Sequence, residues 1–377
     1  MSSLSIRLEK LLRALTTPRR HPLSVRRILI AHQLLLGDTI LLAPLLKQLE
    51  RSYPDAQRVL LVRPAFMPLF QGRPYGVSAL PFSRRDQDLQ RAVMQSGPYD
   101  LAIVPDDNRY AWLARAAGAS WIVGFGGDRD AWKNFMLDDA RSYDSRPAAW
   151  ADMAARLAWP TSSSPSSSFA TAAVIARYRP GEWPAPARPL EPLPAAGYTV
   201  LHVGASTPLK GWSVECWNGV IAQLRAQGRR IVFSGASNER SWLQGLDTKD
   251  DELAWFGRLD LAGLWHLLAG AAALVCPDTG IAHLARVVGV PSVALFGPGS
   301  AVIHGAGAFW ADSRFEAVTA PDFPCRDQTV LFRRQVDWVR RCGRPMGVGP
   351  GFCPGALCMR AIELAPVLAA LDRITTT

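Results

Sequence analysis

The chain has 377 residues, 49% of them apolar and 20% charged, with 42 lysines and arginines against 32 aspartates and glutamates. That length suits two domains rather than one small module, the apolar fraction excludes a disordered chain, and no uncharged apolar run reaches the roughly 18 residues of a membrane-crossing helix. The net charge of +10 favours anionic partners, without choosing among nucleotide phosphates, phosphorylated lipids and nucleic acid.

Met1 is not followed by a signal-peptide pattern, so the expectation is a cytoplasmic, reducing setting. Residues 1–25 form a basic amphipathic segment. Arg7, Lys10, Arg13, Arg19 and Arg20, followed by Arg26 and Arg27, face the single acid Glu9, with Leu4, Leu8, Leu11, Leu12 and Leu15 at helical spacing. Such a helix either lies on an anionic membrane surface or packs on its own domain. Residues 26–31 read as a buried strand, 38–51 as a helix with Leu41, Leu42, Leu45, Leu46 and Leu49 inward, and 58–62 as a second strand. Apolar runs at 99–105 and 120–125 flank a helix over 110–117, so the alternation predicts a parallel sheet covered by helices.

The alternation breaks after Trp159, where PTSSSPSSS precedes a proline-rich stretch over 180–194; Ser/Pro composition cannot pack a core. It resumes with strands at 198–203, 229–234, 272–276 and 291–296, and helices at 214–226, 261–269 and 281–288. The expected organisation is a Rossmann-like domain over 26–180, a linker over 181–197, a second Rossmann-like domain over 198–358, and a final helix over 359–377.

The most informative segment is LVCPDTGIAHLARVVGVPSVALFGP, residues 274–298. A strand ends at Cys276, and Asp278, Thr279 and Gly280 turn into a helix whose first polar residue is His283. The turn aims backbone N–H groups and a helix N-terminus at phosphate and leaves Asp278 for sugar hydroxyls; the structural alternative is a capped helix with an interior histidine. LHVGASTPLKGW, residues 201–212, offers Ser206, Thr207 and Lys210 to a diphosphate, though it is not a Walker loop. After the next strand, Glu239 in FSGASNE suits ribose hydroxyls or adenine, or serves as a first-turn acid. In HQLLLGDTILLAPLL, Asp38 follows Gly37 at a strand-to-helix transition and is either a general base on an acceptor hydroxyl or an N-cap.

Taken in order, GD, STPLKGW and PDTGIAH with GVPSVALFGP resemble the ADP-heptose-dependent heptosyltransferases of lipopolysaccharide core assembly, glycosyltransferase family 9, over about residues 26–300. The resemblance implies a GT-B fold, two Rossmann-like domains facing across a cleft, with the acceptor domain first, the ADP-sugar domain second and the final helix crossing back to the first. It implies an inverting reaction that needs no metal cofactor, with ADP-heptose as donor and the phosphorylated lipopolysaccharide inner core as acceptor, at the cytoplasmic face of the inner membrane. Asp38 matches the family's base. Ser206, Thr207 and Lys210 match the diphosphate loop, with Ala205 where some members carry another hydroxyl. Asp278 matches the sugar carboxylate, Thr279, Gly280 and His283 the phosphate turn, and Glu239 more loosely the nucleoside acid. Where members often carry a lysine or arginine after the first strand, this chain has His32 and Gln33.

Cys216 and Cys276 are isolated in apolar stretches. Cys325, Cys342, Cys353 and Cys358 follow C-x16-C-x10-C-x4-C, interleaved with arginines at 326, 333, 334, 340, 341 and 344. Four thiolates suit a structural Zn or Fe, yet the spacing lacks paired CxxC knuckles, which leaves free thiols or disulfides open. The protein-modifying branch of the same family, acting on autotransporters, is similar in having a four-cysteine metal site, so a protein serine is the alternative acceptor. A nucleic-acid or membrane-surface binding module is a further alternative, motivated by the arginines and Trp338, but no recognised nucleic-acid motif is present.

Overall fold

The computed structural model describes residues 3–159, 175–320 and 323–376. The serine-proline run from Pro160 lies outside the described residues. The chain divides into two compact units, Met1–Arg177 with Val330–Trp338, and Tyr178–Thr329 with Val339–Thr377.

The first unit starts with helix α1 (Ser3–Thr16) and strand β1 (Arg27–Ile30), then α2 (Leu36–Ile40) and α3 (Ala43–Ser52). The expected single helix over 38–51 is two helices. Pro44 has no N–H to give the Ile40 carbonyl, so the first helix stops and the second begins with Pro44 in its opening turn. The unit continues through β2 (Gln57–Val62), β3 (Val77–Pro81), α4 (Gln87–Gln95), β4 (Tyr99–Val104), α5 (Arg109–Ala116), β5 (Ala119–Phe125), α6 (Ala131–Asn134), β6 (Asp139–Arg141) and α7 (Trp150–Ala155). The six strands are parallel in the order β3-β2-β1-β4-β5-β6. Connections run outward in opposite directions from β1 and β4, which makes the carboxyl ends of those two strands the natural ligand crevice. Ile28, Leu29 and Ile30 are fully buried, as a strand covered on both faces requires. One face of α1 adds Ile6 and Ala14 to the core containing Tyr110 and Leu113 of α5.

The second unit holds β7 (Tyr198–His202), α8 (Val214–Ala226), β8 (Arg230–Ser234), α9 (Leu261–Ala269), β9 (Ala271–Pro277), α10 (Gly280–Val288), β10 (Ser292–Phe296), α11 (Ala301–His304) and β11 (Phe315–Thr319). Its sheet is parallel in the order β11-β10-β9-β7-β8.

Two expectations about the C-terminal region need correction. Residues 330–338, expected in the second domain, belong to the first unit. There β12 (Val330–Leu331) and β13 (Arg334–Gln335) make a hairpin turned by Phe332 and Arg333 at φ 43° and 66°. Arg334, 2% exposed, donates to the carbonyls of Asp106, Phe125 and Gly126 at 2.6–3.0 Å; a buried guanidinium needs such acceptors, and the carboxyl ends of β4 and β5 present them. The last helices, α12 (Leu357–Arg360) and α13 (Leu364–Thr376), belong to the second unit instead of crossing back. Val367, Ala370, Leu371 and Ile374 form an i, i+3, i+4, i+7 stripe buried with Ile221, Val275 and Leu295 of that unit.

Candidate functional site

Each unit carries its own constellation at the carboxyl ends of its central strands. In the second unit β9 delivers Asp278, 5% exposed, into the turn before α10. The Lys210 ammonium lies 3.1 Å from Asp278 Oδ2 and also donates to the Asp278 carbonyl. The lysine expected on a diphosphate and the aspartate expected on a sugar are thus paired with each other. Gly299, in the loop after β10, lets this happen, since a Cβ there would collide with Asp278 Oδ2.

Thr279 precedes α10 in extended conformation, and its side chain makes no capping hydrogen bond. The N-terminal amides of α10 are therefore uncapped by a side chain and suited to an anion. His283 is buried, and its pKa is held well below the ordinary value by burial first and then by Arg286, His304 and Lys210. It is a neutral imidazole. Arg286 gives the carbonyls of Gly305 and His304 hydrogen bonds of 2.8 and 2.7 Å and lies 3.5 Å from the Phe315 ring centroid, which fixes the helix below the turn.

Ser206 is exposed. Thr207 caps the short turn Pro208–Lys210 by accepting from the Leu209 amide, so its hydroxyl has a structural duty. Glu239 accepts from the Ala236 amide at 2.7 Å, the first-turn role left open above, and its carboxylate rests on Gly204, where a Cβ would approach within 2.6 Å. The β7 and β8 loops are thereby joined under the expected nucleoside position. Below them His202 Nδ1 and Ser234 Oγ are 3.0 Å apart.

In the first unit Asp38 sits half-buried in the first turn of α2, whose N-cap is Leu35. The N-cap reading of Asp38 is therefore excluded. The loop before it is fixed on all sides. His32 Nδ1 accepts from the Leu34 amide at 3.1 Å, and burial, then Arg63, pushes its pKa down to about 3. Arg63 donates to the carbonyls of Leu34 and Gln33 at 2.8 and 3.1 Å. A cation just past the end of β2 thus holds this loop through its main chain. Tyr110 donates to Gln33 Oε1 at 3.2 Å.

Sequence reasoning missed Asp106, just past β4. It is 6% exposed, and its pKa is pushed up to about 8 by burial first, with the Asp107 and Asp38 carboxylates adding to the rise and the Asp107 amide and Arg334 opposing it. The signal that could have found it is position: the Pro-Asp-Asp run ends the strand beside the one that precedes Asp38.

All six cysteines are free thiols. Burial, then Cys342 and Cys353, raises the Cys325 thiol, and burial raises Cys358, with Cys325, Cys342 and Cys353 adding to it. Cys353 shifts down, because the amides of Gly355, Leu357 and Ala356 outweigh its burial. Four mutually sensed thiols with amides on one sulfur are a donor set suited to a soft metal. Yet no group of three or more His, Cys, Asp or Glu side chains among the described residues is arranged to hold an ion. The neighbouring arginines are structural: Arg326 donates to the carbonyls of Gly297, Ala320 and Phe296, and Arg344 pairs with Asp327. Trp338 donates to the Asp144 carbonyl at 2.7 Å.

The family model for glycosyltransferase family 9 (heptosyltransferase) matches residues 88–313. Lipopolysaccharide heptosyltransferase 1 of Pseudomonas aeruginosa is 26% identical over 325 residues, 79% of this chain and 85% of that protein. The solved structure of E. coli ADP-heptose lps heptosyltransferase II superposes with a TM-score of 0.64 at 18% identity, covering 93% of this chain and 98% of that one. The iron-containing dodecameric glycosyltransferase TibC of enterotoxigenic E. coli superposes with a TM-score of 0.56 at 15% identity, covering 94% and 77%.

Proposed function

Because the chain belongs to glycosyltransferase family 9, the heptosyltransferases, and its two parallel-sheet units have their GT-B fold, we propose that this glycosyl-transferring enzyme moves heptose from ADP-heptose to a sugar hydroxyl of the lipopolysaccharide inner core, with inversion. The observation that carries the reading is the Lys210–Asp278 pair at the uncapped N-terminus of α10. Donor binding exchanges this pair for ligand contacts: Lys210 turns to the diphosphate with the amides of the Thr279–Gly280 turn, and Asp278 takes heptose hydroxyls.

Asp38 removes the proton as the acceptor oxygen bonds to the anomeric carbon from the face opposite ADP. The bond from that carbon to the phosphate oxygen breaks, and its electron pair leaves with ADP, where Lys210 and the turn amides meet the charge. Neutral His283 supports the turn without adding charge.

The acceptor is a phosphorylated lipid in this reading, and α1 supports it. Ile6 and Ala14 face the domain, whereas Leu8, Leu11, Leu12 and Leu15 stand 56%, 40%, 55% and 58% exposed at i, i+3, i+4, i+7. An apolar stripe among arginines suits the surface of an anionic membrane. No helix among the described residues is long and apolar enough to cross one.

A second reading, transfer to a protein serine, draws on the likeness to the iron-containing TibC and on four thiols that sense one another electrostatically, although they are not arranged to hold an ion in this structure. Cys325, Cys342, Cys353 and Cys358 would then hold a structural Zn or Fe that ties the C-terminal segment together, without entering the transfer step. Calorimetric titration with ADP-heptose, ADP-glucose and UDP-glucose tests the donor. Preference for ADP-heptose supports the proposal, and binding of none of the three defeats it.

A further inference from the structure

The two acids of the first unit are not equivalent. Asp106 and Asp38 follow β4 and β1, the adjacent parallel strands from which the chain diverges in both directions. Asp38 is half-exposed, whereas Asp106 is buried, and Asp106 Oδ1 has no hydrogen-bond partner among the described residues. The cation beside it, Arg334, directs Nε, Nη1 and Nη2 at main-chain carbonyls. The other titratable groups that sense Asp106 are Asp107 on its own loop, Tyr110 on α5 and Tyr143 beyond β6. Burial raises both phenols, so they stay neutral. The surroundings therefore contain two other carboxylates, of which Asp107 is paired with Arg109 at 2.7 Å and Lys133 at 3.3 Å, and one guanidinium committed elsewhere.

We propose that Asp106 is a carboxyl kept neutral at the strand ends that also lead to Asp38, a positioning residue that spares the acceptor site a further negative charge. This rests on the reading of Asp38 as base. When two carboxyls share a site, one of them keeps its proton, and the better buried one does so at lower cost. The pair then has a built-in upper pH limit. As pH rises through about 8, Asp106 ionises and a further negative charge enters the site that Asp38 serves. That charge opposes an anionic acceptor, so the loss falls on acceptor binding rather than on turnover.

Two measurements test this. With ADP-heptose and heptose-free lipopolysaccharide between pH 6 and pH 10, acceptor kcat/KM of the wild type falls toward tenfold per pH unit above the Asp106 midpoint, as one ionisation requires, through KM with kcat level. Asp106→Asn, permanently neutral, keeps near-normal kcat and loses this limb. An unchanged limb in Asp106→Asn, or a loss of kcat as deep as that of Asp38→Ala, overturns the inference. Independently of any acceptor, the infrared band of a protonated carboxyl should disappear with a midpoint of about 8 and be missing from Asp106→Asn; its absence from the wild type at neutral pH also overturns it. Full turnover in Asp38→Ala would instead defeat the base reading, which separates the two failures.

Discussion

Replacing Asp278 by alanine should separate recognition of the sugar from recognition of the nucleotide. In the free protein the Asp278 carboxylate is spent on Lys210 at 3.1 Å, and Lys210 keeps a second acceptor in the Asp278 main-chain carbonyl. The variant therefore does not strand the ammonium. With donor bound, the carboxylate is assigned to heptose hydroxyls, and a hydrogen bond to a charged group contributes about 1.5–3 kcal/mol. Losing one such bond weakens ADP-heptose binding by about 10- to 150-fold. In the proposed division of roles ADP alone makes no use of Asp278, and a Lys210 released from its carboxylate is freer to meet the diphosphate, so ADP affinity should hold or rise. Isothermal titration of both ligands against wild type and Asp278→Ala reads the difference directly. Equal losses for ADP and ADP-heptose would refute the division of labour between Lys210 and Asp278.

Arg334→Met leaves the carbonyls of Asp106, Phe125 and Gly126 without their shared donor, and should lower stability to urea by about 3–5 kcal/mol; a change below about 1 kcal/mol would mean the hairpin is not what ties these strand ends. Leu8→Glu/Leu12→Glu/Leu15→Glu should bind vesicles of mixed neutral and anionic lipid at least about tenfold more weakly, since each buried leucine contributes about 1.5–3 kcal/mol, while ADP-heptose affinity is unchanged. Equal vesicle binding by the variant would remove α1 from the membrane surface. Elemental analysis of purified protein distinguishes the acceptor readings: about one Zn or Fe per chain, lost on Cys342→Ser/Cys353→Ser, supports the metal-holding segment, and metal-free, fully folded protein counts against the protein-serine reading.

Most of the parallel strands were legible because each is a short apolar run bounded by turn residues, whereas the edge strands β3, β6 and β11 are only partly buried and carry no such run. The break at Pro44 was visible in principle, since proline cannot donate into a helix. What escaped the sequence depends on distant partners. Arg334 is 209 residues from Phe125, whose carbonyl it binds, and nothing in a local window distinguishes it from the arginines around it. The pairing of Lys210 with Asp278 spans 68 residues; each residue could be assigned a ligand role separately, but their mutual neutralisation in the free protein could not. Asp106 reads as an ordinary turn residue until strand order puts β4 next to β1, the strand that leads to Asp38.

The central claim is that Asp38 is the base for heptose transfer from a donor held by the second unit. Its most direct test is mass spectrometry of heptose-free lipopolysaccharide incubated with ADP-heptose and either wild type or Asp38→Ala. The account predicts addition of one heptose by the wild type and a rate at least about a hundredfold lower for the variant, with ADP-heptose binding retained. Near-normal transfer by Asp38→Ala would contradict it.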